Sequence, residues 1–91
     1  EAEYRHWCHL KIRQRVGEIT DLRRQVVFEL APAVEIGGRK RPPLRYVADM
    51  VYREGGEMVV ADVKGAITPE YRIKRHLLKA VHGIEIREIR A

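Results

Sequence analysis

Cysteine is nearly absent: the single Cys8 permits no internal disulfide, and no Cys/His cluster at zinc-ligand spacing accompanies it. Long apolar runs are also missing, which excludes a transmembrane helix. The opening Glu1-Ala2-Glu3-Tyr4 lacks the charged and apolar regions of a signal peptide, so a cytoplasmic protein with no membrane partner is expected. Aromatic residues make up only 7% of the chain, too few for a stacking platform repeated along the surface. Tyr4 and Trp7 at helical spacing, and Tyr46 and Tyr52 in apolar segments, read as core packing. What is present is a 91-residue chain, 45% hydrophobic, enough for one small domain over residues 1–91 with one modest core. A net charge of +5 favours polyanionic partners.

From Ala2 to about Val16 the residues Tyr4, Cys8, Ile12 and Val16 recur at every fourth position with Trp7 beside them, which predicts a helix with a buried stripe. Gly17 ends it. Alternation of Val26, Phe28 and Leu30 predicts a strand over 25–30. Residues 31–43 hold Pro32, Gly37, Gly38, Arg39-Lys40-Arg41 and Pro42-Pro43, and read as a basic loop. Strands over 45–53 and 57–64 flank Gly55-Gly56, a pair suited to a tight hairpin. Thr68 then caps a helix opened by Pro69, with Glu70 in its first turn and Ile73, Leu77, Ala80 and Val81 as its buried stripe. Gly83 closes it. A short strand over 85–89 should return to the same sheet as a parallel crossover. The expected fold class is α/β: a small mixed sheet in α-β-β-β-α-β order with helices on both faces.

The hairpin register carries the chemistry. Pairing Glu54 with Glu57 sets Asp49 opposite Asp62, Val51 opposite Val60 and Val47 opposite Lys64 on one face, with Ala48, Met50 and Tyr52 on the other. Carboxylates facing each other across a strand pair have Cβ atoms roughly 4.5–5.5 Å apart and repel unless neutralised. A divalent cation does this, and Mg²⁺ in particular takes one or two carboxylates, keeps waters and uses phosphate oxygens as further ligands. Lys64, two residues beyond Asp62, falls on the same strand face, where its ammonium can orient water or meet developing charge. An isolated Asp-x-Lys is more often two solvated strand residues; Asp49 in register and the capped helix that follows set this one apart.

These residues resemble a known pattern. Tyr46-Val47-Ala48-Asp49 followed by Val59-Val60-Ala61-Asp62-Val63-Lys64-Gly65 is similar to the split signature of the PD-(D/E)XK restriction-endonuclease-like superfamily, with Ala48 where its nominal proline stands. Glu1-Ala2-Glu3-Tyr4, Asp62-Val63-Lys64-Gly65 and Thr68-Pro69-Glu70-Tyr71-Arg72 with Lys74 resemble a phage and prophage family of nuclease-like proteins over nearly the whole chain. The resemblance implies a restriction-endonuclease-like core and a metal-dependent endodeoxyribonuclease with Mg²⁺, or Mn²⁺ in its place. It implies metal ligation by Asp49, Asp62 and the Val63 carbonyl, with Lys64 as catalytic cation and Glu1 as an additional acid from the first helix. Its setting would be phage DNA recombination, replication or packaging, with branched DNA among the substrates.

Charge runs are usually solvated faces, but beside a phosphate-cutting centre Arg72, Lys74 and Arg75 on the second helix, and Arg39, Lys40 and Arg41 in the loop, become candidate DNA-backbone contacts. The four histidines share no metal-ligand spacing. A domain this small would gain core and a second cutting centre as a homodimer. The competing readings are a nucleic-acid-binding module that does not cut, and a phage structural or assembly protein in which the aspartates are incidental.

Overall fold

A computed structural model describes all residues, Glu1–Ala91, as two helices, a four-stranded mixed sheet and a separate two-stranded ribbon. In chain order these are α1 (Ala2–Arg15), β1 (Thr20–Ala31), β2 (Val34–Ile36), β3 (Arg39–Arg41), β4 (Leu44–Glu54), β5 (Glu57–Lys64), α2 (Pro69–His82) and β6 (Arg87–Arg90). The sheet order is β1-β4-β5-β6, with β6 parallel to β5 and the other pairs antiparallel. The parallel return after α2 matches expectation. No helix is long and apolar enough to cross a membrane.

Helices cover both sheet faces. Beneath α2 lie Leu30, Tyr46, Ala48, Val51, Val60, Tyr71, Leu78 and Ile86; on the α1 side lie Leu10, Ile19, Met50, Tyr52, Val59 and Ala61. The helix termini are as the sequence suggests. Thr68 Oγ1 accepts the Tyr71 N–H at 3.1 Å, Pro69 opens α2, and Gly83 closes it at φ 70°.

The buried faces of the helices differ from the expected stripes. On α1, Tyr4, Ile12 and Val16 are each about 60% exposed. The helix docks instead through Glu3, Trp7, Leu10 and Gln14: Glu3 receives Arg24 and Gln25, Arg24 lies over the Trp7 ring, and Gln14 accepts the Leu22 N–H at 2.8 Å. Periodicity of apolar residues misidentified the face because half of this docking surface is polar. On α2, Tyr71 and Leu78 are buried and Leu77 is partly so, whereas Ile73 and Val81 point outward.

The supposed loop over 31–43 contains a hairpin. β2 and β3 pair Val34 with Arg41, Glu35 with Lys40 and Ile36 with Arg39, around Gly37-Gly38 at φ 59° and 78°. Two consecutive positive φ angles are what a two-residue type I′ turn requires. The ribbon makes no substantial packing with any other element, and every residue from Pro32 to Pro42 is exposed.

One irregularity in the sheet bears on the site. In β4, Tyr46 and Ala48 belong to the α2 side, yet so does Val51, while Met50 and Tyr52 belong to the other. The faces therefore exchange at Asp49. In β1, Leu22 packs on the α1 side and Val26 on the α2 side, so the same exchange occurs opposite, at Gln25, whose φ is +52°. The expected placement of Ala48 with Met50 and Tyr52, and of Val47 with Val51, fails here, because strict alternation presumes that no residue leaves the β region.

Candidate functional site

The β4–β5 hairpin keeps the predicted register from Glu54↔Glu57 to Met50↔Ala61 and then opens into a fork. Beyond it β4 stays with β1, pairing Val47 with Val27, while β5 stays with β6, pairing Asp62 with Glu88 and Lys64 with Arg90. The expected pairing of Val47 with Lys64 does not form. Asp49 and Asp62 stand at the fork, and each carboxylate crosses it to the other strand's backbone. Asp62 Oδ1 accepts the Asp49 N–H at 2.7 Å, and Asp49 Oδ2 accepts the Val63 N–H at 2.9 Å. Side chains thus supply the hydrogen bonds that the departing ladder no longer provides.

Asp62 is the only charged residue in the core, 1% exposed. Its Oδ2 has no aligned hydrogen bond, although Lys64 Nζ stands 3.3 Å away in ion-pair range. Burial pushes its carboxyl above the ordinary value of 3.8, opposed by the Asp49 N–H and by Lys64. Lys64 also lies over the Tyr71 ring, 4.1 Å from its centroid, a cation–π contact that fixes the ammonium above α2.

Two further residues belong to this cluster. Tyr71 Oη donates to Glu88 at 2.7 Å, and Arg75 donates to the same carboxylate oxygen at 2.8 Å. Those two donors hold the Glu88 carboxyl below its usual range, while burial and the nearby Glu88 carboxylate raise the Tyr71 phenol. Sequence alone assigns neither a role at the site. The available signals were Tyr71 three residues after the Thr68 cap, which sets its side chain toward the sheet, and Glu88 beside Asp62 in a parallel pairing that only the fold defines.

The other candidate residues are dispersed. Glu1 is spent on its own helix, accepting the Tyr4 N–H at 2.6 Å as N-cap, and no group of three or more His, Cys, Asp or Glu comes together at metal-ligating range. Lys74 pairs with Glu70 at 3.1 Å and, with Lys64, Tyr46, Thr68 and Tyr71, lines a cavity of about 340 Å³ next to the fork. Arg72 and Arg75 instead line a larger groove, about 690 Å³, together with His76, Lys79 and Glu88. Arg39, Lys40 and Arg41 are on the ribbon, away from both.

The molecule is thus a small mixed α/β domain whose central hairpin forks around two carboxylates and a lysine. Residues 1–90 match the family described as "Protein of unknown function (DUF1064)", and the chain belongs to that family. No curated protein and no solved structure matches it significantly.

Proposed function

We propose that the chain is a metal-dependent endonuclease that hydrolyses DNA phosphodiester bonds, built on a restriction-endonuclease-like core. The observation that carries this reading is Asp62, a buried carboxylate with one oxygen lacking an aligned hydrogen bond, beside Lys64 and across the fork from Asp49. An isolated charge in a protein core is costly, and a cation at that oxygen offsets the cost. The all-oxygen donor set suits Mg²⁺, with Mn²⁺ as substitute, and a Mg²⁺ site needs few protein ligands because the ion keeps waters. Asp49, Asp62 and the Val63 carbonyl would hold the ion, which when bound polarises a phosphoryl oxygen and acidifies water.

The chain's own residues do the rest. Lys64 neutralises Asp62 at rest, and its ammonium is placed to orient an attacking water and to meet the charge that grows on the phosphoryl oxygens. Tyr71 supports Lys64 from below, and Glu88 with Arg75 holds Tyr71. Lys74, Arg72 and Arg75, with Arg39, Lys40 and Arg41, supply phosphate contacts that position the substrate without taking part in the reaction. The first-helix acid has no part in this arrangement while Glu1 caps α1. The proposed setting, from the phage and prophage resemblance, is recombination, replication or packaging of phage DNA in the host cytoplasm, by a homodimer.

A second reading rests on a specific observation: both carboxylates already bond backbone N–H groups across the fork, as a purely structural pair would. On that reading the chain binds nucleic acid and does not cut it. Incubation with duplex, single-stranded and branched DNA, with Mg²⁺ or Mn²⁺, decides between them. Cleavage by the parent that is lost in Asp62→Asn supports the nuclease; DNA binding without cleavage of any substrate replaces it with the binding module.

A further inference from the structure

The ribbon β2–β3 is the part of the molecule that its own core does not explain. The radius of gyration is 15.1 Å and the longest extent 53 Å, whereas a compact domain of 100 residues has a radius near 13 Å. Two-stranded hairpins without a packed face are marginal in water, so a ribbon that packs on nothing within the chain needs a partner to be held in place. Cross-strand partners share a face, which puts Val34, Ile36, Arg39 and Arg41 on one side and the Glu35–Lys40 pair on the other. Val34 and Ile36 are 50% and 59% exposed. At the tip, Gly37 and Gly38 carry no side chains to hinder close approach.

We infer that this ribbon is an arm that enters the major groove of duplex DNA within about one helical turn of the carboxylate fork, so that the substrate is DNA with an intact duplex flank. This rests on the DNA reading above. The major groove is about 12 Å wide and admits a two-stranded ribbon, and it exposes guanine acceptors to arginine and thymine methyl groups to small apolar side chains. The face of Arg39, Arg41, Val34 and Ile36 offers both kinds of contact. Charge selects DNA over a second copy of the chain: the arm bears three cations and one acid on a molecule of net charge +5, and two such arms repel each other. The span follows from strand geometry. From Asp49 back to Arg39 the chain reaches at most roughly 34 Å at about 3.4 Å per residue, which is about ten base pairs at 3.4 Å per pair.

Binding measured by fluorescence anisotropy in EDTA, where no cleavage intervenes, tests this with duplexes of 8 to about 24 base pairs. For the parent, affinity should step up as the duplex lengthens to about ten pairs and level off beyond. The Arg39→Ser, Lys40→Ser, Arg41→Ser triple variant should lose that step, bind the long duplex at least tenfold more weakly, and show a salt slope shallower by up to about two to three, since three cations no longer neutralise DNA charge at about 0.9 each. Val34→Ser with Ile36→Ser should weaken binding at unchanged salt slope. Both variants lie outside the core and should melt like the parent. Equal affinity and slope for parent and triple variant overturn the arm, as does sedimentation showing that the variant loses self-association and not DNA affinity. A parent that cuts while the arm variants bind like it removes this inference alone; a parent that binds through the arm and never cuts removes the nuclease reading alone.

Discussion

At the scale of single residues, Asp62 concentrates the energetic tension of the domain. Its carboxyl is raised by burial, so ionising it costs the folded chain more than the unfolded one. Its contribution to stability is therefore greatest below the ordinary value of 3.8 and declines as pH rises through the higher folded value. Glu88 works the other way: lowered by Tyr71 and Arg75, it stabilises above its unfolded value and that contribution is lost as pH falls. Asp62→Asn should accordingly raise the melting temperature at neutral pH and flatten its decline as pH rises out of the carboxylate range. Mg²⁺ should raise the melting temperature of the parent and not of this variant; an equal rise in both would take the ion away from the fork. For Lys64→Ala the loss should fall on turnover, on the order of 10²–10³, because the role proposed for the ammonium is to act on charge that develops only in the transition state. DNA affinity should hardly change. Cleavage by Lys64→Ala at the parent rate would refute the proposed role.

At the scale of elements, the register of β4 with β5 could be read from Gly55-Gly56 and the alternation around it, and so could the meeting of Asp49 with Asp62. The fork could not, because it depends on β1 and β6 each claiming one strand of the pair. The ribbon was legible in principle: Gly37-Gly38 between Val34-Glu35-Ile36 and Arg39-Lys40-Arg41 is the same turn signal as Gly55-Gly56, hidden by flanking prolines that here bound the hairpin rather than exclude it. Helix faces were misassigned where docking is polar, as at Glu3 and Gln14, or where a few outward apolar residues imitate a stripe, as at Ile73 and Val81. The basic cluster on α2 also divides. Lys74, paired with Glu70 on the cavity beside the fork, is the proposed phosphate contact there: Lys74→Ala should make DNA affinity less salt-dependent by a slope of about one without changing the rate at saturating DNA. Arg75→Ala should instead lower the melting temperature, since it strips a charge-assisted hydrogen bond from Glu88. A melt identical to the parent would show that Tyr71 alone suffices to hold that carboxylate.

At the scale of the whole molecule, both helices keep apolar residues outside the core: Tyr4, Ile12 and Val16 along α1, Ile73 and Val81 along α2. The α2 row, with Leu77 between, lies beside the groove of Arg72 and Arg75, so a homodimer formed across it would bring two basic grooves and two forks onto one assembly. Sedimentation velocity at micromolar concentration should show a dimer, and Ile73→Lys with Val81→Lys should give a folded monomer. A parent that sediments as a monomer would end the dimer proposal and leave each fork to act alone.

The crossing of the fork by its carboxylates has a spectroscopic consequence. The amide protons of Asp49 and Val63 are held by side-chain oxygens, whereas their neighbours in the sheet are held by peptide carbonyls. In a proton–nitrogen correlation spectrum the Asp49 resonance should follow the ionisation of Asp62 as pH changes, and both should shift when a cation draws on the same oxygens. The backbone thereby carries two reporters of the state of the site, at natural side-chain composition and without any added probe.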